Sequence, residues 1–234
     1  MKNLVKTIKC NVNSNRTVNT RKKRRRTSNI KNIIIQHIIN NIREYSIVSI
    51  FFLIGIILGV IVINNSEPQT QSDVQGYILS FINSLKSNEY KIDIQGLLQA
   101  SILNNVKLAI LIWFVGSTVI GMPLLYGIIA FRGYCLGYTI AAIMATLQTS
   151  KAITFTLSSL LLQNILIIPA ILALSVSGIK LHKAIMQDRR KENIKTEIYK
   201  HSLFCLIMLI VLIIAGIVET YASGNLIMYI AKYI

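Results

Sequence analysis

Acidic residues are scarce in this chain. Nine Asp and Glu stand against 25 Lys and Arg over 234 residues, a formal net charge of +16. Three prolines and 12 glycines exclude collagen-like and Pro/Gly-rich disordered chains, and three cysteines exclude a disulfide scaffold. Catalytic patterns are missing as well. His37, His182 and His201 form no His-Glu-x-x-His, so a zinc protease is not indicated. Cys10, Cys135 and Cys205 form no Cys-x-x-Cys. Walker, dinucleotide and nucleophile-elbow patterns are absent, and no cofactor or metal is expected.

What is present is apolar. Hydrophobic residues make up 53% of the chain, and they fall in long, nearly uncharged runs. A helix needs about 20 such residues to cross about 30 Å of hydrocarbon. Ile47 to Ile63, Lys107 to Leu147, Ile153 to Ser177 and Leu203 to Val218 meet that test. The second run is long enough for two crossings. The fold expected is therefore all-α: a polytopic transmembrane helical bundle of about five spans, with short amphipathic helices outside the membrane. The expected spans are about 47–63, 107–130, 133–148, 153–177 and 203–220.

Two positions would split the long run. A turn at Phe131-Arg132-Gly133 brings Arg132 to the inner surface. A turn at Gly121-Met122-Pro123 leaves the arginine in mid-membrane, which is costly without a partner. The first is preferred here, with a re-entrant piece over 121–131 as the alternative.

Basic residues set the expected orientation. Twelve precede the first span, seven lie in the loop 178–202, and Arg132 is assigned to the second inner turn. This predicts a cytoplasmic N-terminus and an external C-terminus, with 64–106 and 221–234 outside. The run Arg21-Lys22-Lys23-Arg24-Arg25-Arg26 lies in a basic tail, 1–29, expected to be disordered. No aromatic residue interleaves it, so anionic membrane lipids are the expected partner and nucleic acid is not. An amphipathic helix over 30–46 is expected on the inner leaflet. In the external segment, Ser72-Asp73-Val74-Gln75 reads as a capping box. Ile78, Phe81, Ile82 and Leu85 then suggest one short helix, and Ile94, Leu97, Leu98 and Ile102 a second.

Small residues recur at four-residue spacing: Gly55 and Gly59, then Gly133, Gly137, Ala141 and Ala145. Such stripes let helix backbones approach closely. They serve packing within one chain, docking of a partner, or a homo-oligomer. A solute transporter or channel is the rival reading. It would show a polar cavity lined by Arg132, Ser117, Thr118 and Gln163.

Two segments carry a resemblance. Leu103-Asn104-Asn105-Val106-Lys107 opens an apolar run through Gly116, and Phe131-Arg132-Gly133-Tyr134-Cys135-Leu136-Gly137-Tyr138-Thr139 opens another. From about Ile30 onward the chain resembles the stage II sporulation protein M family of endospore-forming bacteria. That resemblance implies a multi-pass protein of the cell membrane at the sporulation septum. It also implies a non-enzymatic scaffold in engulfment, recruiting the peptidoglycan hydrolases called stage II sporulation proteins D and P. A wider group with the same membrane domain occurs outside spore-formers.

Overall fold

The computed structural model describes residues 38–86, 94–118, 120–147, 149–187 and 191–223. Two units divide the chain after Asn40. Of the first, only 38–40 are described, and they are helical. The basic run Arg21 to Arg26, most of the 30–46 helix and most of the 221–234 tail lie outside the described residues.

The second unit is built of helices joined by short turns. In chain order it comprises α1 (Ile42–Asn64), α2 (Pro68–Lys86), α3 (Ile94–Gly116), α4 (Gly121–Thr146) and α5 (Thr149–Thr156). A π-helical turn, Leu157–Leu161, leads into α6 (Leu162–Gln187); α7 (Lys191–Val218) ends in a second π-helical turn, Glu219–Ser223. Five of these helices, α1, α3, α4, α6 and α7, are long and apolar enough to cross a membrane. The expected class and span number hold.

The turn between the second and third spans is not at Arg132. Helix α4 runs unbroken from Gly121 to Thr146, so the expected inner-surface position of Arg132 is corrected to mid-helix. The chain folds back at residues 117–120 instead. There the Thr118 hydroxyl donates to the Val115 carbonyl at 2.7 Å, and Gly121 N–H donates to the Thr118 carbonyl at 3.1 Å. A Cβ on Gly121 would sit 2.2 Å from the Val115 carbonyl oxygen, so only glycine fits this reversal. Pro123 falls in the first turn of α4, where its missing N–H removes no intrahelical bond.

Two further boundaries move. Helix α2 begins at Pro68, so Ser72-Asp73-Val74-Gln75 lies inside it and caps nothing. Proline suits a first helical position, with its φ already helical. The Gln71 amide bolts the preceding turn by donating toward the Ile63, Asn64 and Ser66 carbonyls at 3.2 to 3.3 Å. The second short external helix does not stand alone. It is the first part of α3, whose 23 residues extend about 34 Å at 1.5 Å each. The segment 178–202, which the four-residue spacing of Leu181 and Ile185 and of Ile194 and Ile198 marks as helical, is helical to Gln187 and again from Lys191.

Helix α6 is the most buried span and packs on α1, α3, α4 and α7. Its residues 173–179 are all buried. Around it Val48, Ile112, Leu125, Ile129, Ile167, Leu174 and Leu212 form a closed apolar core. Lys183 Nζ reaches Glu44 Oε1 at 2.7 Å, tying the end of α6 to the start of α1. The 117–120 turn joins the same end, where a His182 ring nitrogen meets the Thr118 carbonyl at 3.2 Å. Helix α2 lies at the opposite end. Its Ile82 is buried with Ile143 of α4 and with Ala152 and Phe155 of α5.

Candidate functional site

Three features of the bundle carry more than bulk packing. The first is the seam between α1 and α4, the most extensive helix contact in the molecule. The glycine pair of α1 and the glycine pair of α4 meet there. A Cβ on Gly55 would lie 2.0 Å from the Ala130 carbonyl oxygen, and one on Gly59 2.2 Å from that of Tyr134. From the other side, Gly133 faces the Phe52 carbonyl oxygen and Gly137 that of Ile56, each at 2.2 Å. Backbone touches backbone on both sides. Ala141 and Ala145 lie off this contact: Ala141 is half-buried, Ala145 is exposed, and Ala142 takes the buried place. A stripe of four-residue steps rotates about 40° per step around the helix, so it leaves a seam after two steps.

A second feature is a groove of about 620 Å³ where α2 crosses α4 and α5. Tyr77, Ile78 and Phe81 form one wall; Tyr138, Ile143 and Phe155 belong to the other. Buried Ile82 holds α2 in place, while Tyr77 and Phe81 remain 76% and 45% exposed. This rim is largely apolar, and it lies at the end of the bundle opposite the Lys183–Glu44 ion pair.

The third feature is a cleft of about 940 Å³ on the flank of the bundle, mostly apolar with a polar stripe, between α3, α4 and the Glu219 turn. Ser101, Asn104, Asn105 and Lys107 line it from α3, and Arg132 and Cys135 from α4. Ser101 Oγ donates a short hydrogen bond to Glu219, and Asn105 Nδ2 donates to the Leu212 carbonyl at 3.2 Å. These two bonds lock α7 onto α3. Replacing Asn105 by Leu should lower stability by about 0.6 to 1.7 kcal/mol, the range measured for polar contacts between membrane helices. Reversible unfolding in mixed micelles would read it, and an unchanged midpoint would remove Asn105 from the account.

Of these groups, the sequence reading placed only Arg132 in a cavity. Its expected companions do not join it. The Ser117 hydroxyl turns back to the Trp113 carbonyl at 2.9 Å, and Thr118 serves the turn already described. Gln163's side chain lies outside the described residues. The signal for the true lining was available: Ser101, Asn104 and Asn105 recur at helical spacing just before an apolar run.

One pairing was not legible. Ser177 Oγ lies 2.9 Å from His201 Nδ1, and Cys205 Sγ lies 3.5 Å from Nε2 of the same ring. The geometry imitates a nucleophile and its base. Its setting does not: His201 is 3% exposed, and Gly116 and Gly178 pack against the ring. No carboxylate is recorded against the imidazole among the described residues. Polar contacts of this kind join membrane helices, here α6 to α7. Nor do the described residues contain a cluster of three or more His, Cys, Asp or Glu able to hold a metal.

A glycine-clasped bundle of five apolar helices, with an amphipathic helix across one end, defines a multi-pass membrane protein. Residues 48–224 match the profile of the family described as stage II sporulation protein M, and the chain belongs to that family. It is also 28% identical over 183 residues to an uncharacterized protein of Methanocaldococcus jannaschii. That alignment takes in 76% of this chain and 93% of the archaeal one. No solved structure matches the chain.

Proposed function

We propose that this protein is a non-enzymatic scaffold that holds wall hydrolases at the sporulation septum during engulfment. Family membership supports a sporulation membrane protein. The observation that carries the finer reading is the rim at α2, apolar and exposed yet anchored by Ile82. On the orientation set by the basic residues, this rim faces the cell wall. The occupants are the peptidoglycan hydrolases, stage II sporulation proteins D and P, or their membrane anchors. Tethering raises their local concentration, so the contact need not be tight in solution.

A photo-crosslinking residue at Tyr77, introduced into sporulating cells, tests this. Adducts with either hydrolase are expected, and a comparable probe at exposed Tyr199 on the opposite end should give none. Failure to capture a hydrolase, with the labelled chain abundant at the septum, would remove the scaffold reading. Orientation is tested separately. Deleting residues 21–26 should weaken insertion or mix the topology, as read by reporters fused to the C-terminus. Unaltered topology and abundance would assign the run another task.

Among the described residues, a solute pathway finds its support in the cleft beside Arg132. The closed apolar core around α6 argues against a pore through the bundle. Flux of a solute into liposomes holding the pure chain would reverse that choice.

A further inference from the structure

We propose that the flank cleft binds an anionic phospholipid, its headgroup phosphate held by Arg132 and Lys107. Both cations sit near the middle of their helices and line the same cavity. A guanidinium at that depth is expensive and marks a functional position by default. Neither Arg132 nor Lys107 forms an ion pair with a carboxylate of the described residues. Glu219 shares the cleft, but its carboxylate accepts from Ser101. The cleft therefore holds two cationic side chains against one carboxylate, and an anion completes it.

The shape selects the kind of anion. Leu111, Leu124 and Phe131 border the cleft and are 46%, 50% and 67% exposed. They belong to spans, so the cleft opens sideways onto hydrocarbon, and what enters must be dissolved in the bilayer. Ser101 and Asn104 extend the polar wall from Lys107 toward the α2 end, the route for a headgroup. The apolar border takes the acyl chains. A phosphate offers several oxygens to the guanidinium and ammonium donors together, which one side-chain carboxylate does less well.

A partner helix is the weaker occupant. Where this protein brings helices together closely, glycines meet carbonyls, as at Gly55 and Gly133. Along the cleft the walls carry Leu108, Leu111, Leu124 and Phe131. The one glycine there, Gly127, has nothing within 4 Å of where its Cβ would be. It leaves room without serving any contact. Flexible chains fit such a wall, whereas a rigid helix needs a smoother one.

This proposal stands apart from the scaffold and is tested on the full chain alone. Purified protein is exchanged into mixed phosphatidylglycerol and phosphatidylcholine micelles, and retained lipid is counted by native mass spectrometry. Phosphatidylglycerol should be retained with about tenfold preference, equivalent to about 1.4 kcal/mol. Arg132→Gln should erase the preference. Gly127→Leu should erase retention by filling the cleft, with the thermal midpoint unchanged. Lys195→Gln, on the exposed surface of α7, should leave both intact. Equal retention of the two lipids by the unmodified chain overturns the proposal. So does a well-folded Gly127→Leu that keeps its lipid, which decides the matter even if Arg132→Gln aggregates. Inorganic phosphate that stabilises the chain as well as the lipid does would show a free anion in the site, and a protein helix found there by crosslinking to Cys135 would likewise displace the lipid.

Discussion

Replacing Gly137 by leucine should dismantle the bundle. The new Cβ would fall 2.2 Å from the Ile56 carbonyl oxygen and 2.9 Å from the carbon that bears it. Those atoms are backbone inside α1, so no rotamer change relieves the clash. The whole of α1 must back away, and the matching contacts at Gly55, Gly59 and Gly133 open with it. Overpacking in a deformable core costs about 1 to 3 kcal/mol. Here it strikes the largest interface of a protein whose stability lies within the usual range of about 5 to 15 kcal/mol. Loss of the monodisperse species on size exclusion is expected, together with a several-fold fall in cellular abundance. Gly76→Leu is the control, since nothing lies within 4 Å of that position on α2. If Gly137→Leu keeps the native elution volume and thermal midpoint, the seam does not hold the fold.

The second large effect concerns the rim. Changing Tyr77 and Phe81 together to serine removes the exposed apolar wall of the α2 groove. Both residues lie on one helix face, four apart. Ile82, which anchors α2 to α4 and α5, is untouched. Co-purification of the wall hydrolases should drop by about tenfold or more, as for loss of paired aromatic anchors at an interface. The bundle itself should remain folded and correctly inserted. Ile82→Asp gives the contrasting result: it frees the helix, so recruitment and local order fail together. Undiminished recruitment in the serine double variant would show that the groove is not where partners dock.

The pattern of these effects follows from what can and cannot be read along a chain. Length, apolar runs and the scarcity of charge inside them were enough for class and span number, because burial in hydrocarbon is a property of composition over about 20 residues. The glycine stripes on α1 and α4 were visible too, since close approach leaves a periodic mark. Which stripe faces which is a matter of pairing between segments about 80 residues apart, and periodicity holds no record of it. The turn lies away from Arg132 for a related reason. An arginine in mid-span reads as too costly when the helix is considered alone. The structure sets Arg132 beside a cleft whose other polar groups come from α3 and the Glu219 turn. Those groups lower the cost, and the turn forms where Thr118 and Gly121 make it geometrically easy.

The amino-acid sequence by itself determined that this chain has five helices long and apolar enough to cross a membrane and that two of them can touch at the backbone. It did so because hydropathy and residue size act locally. Only the tertiary structure decided that Arg132 lies in mid-helix beside the cleft, that Ser177 meets His201, and that α2 is pinned across one end by Ile82. Each of these is a contact between residues distant in the chain, and its energy exists only once the helices have assembled.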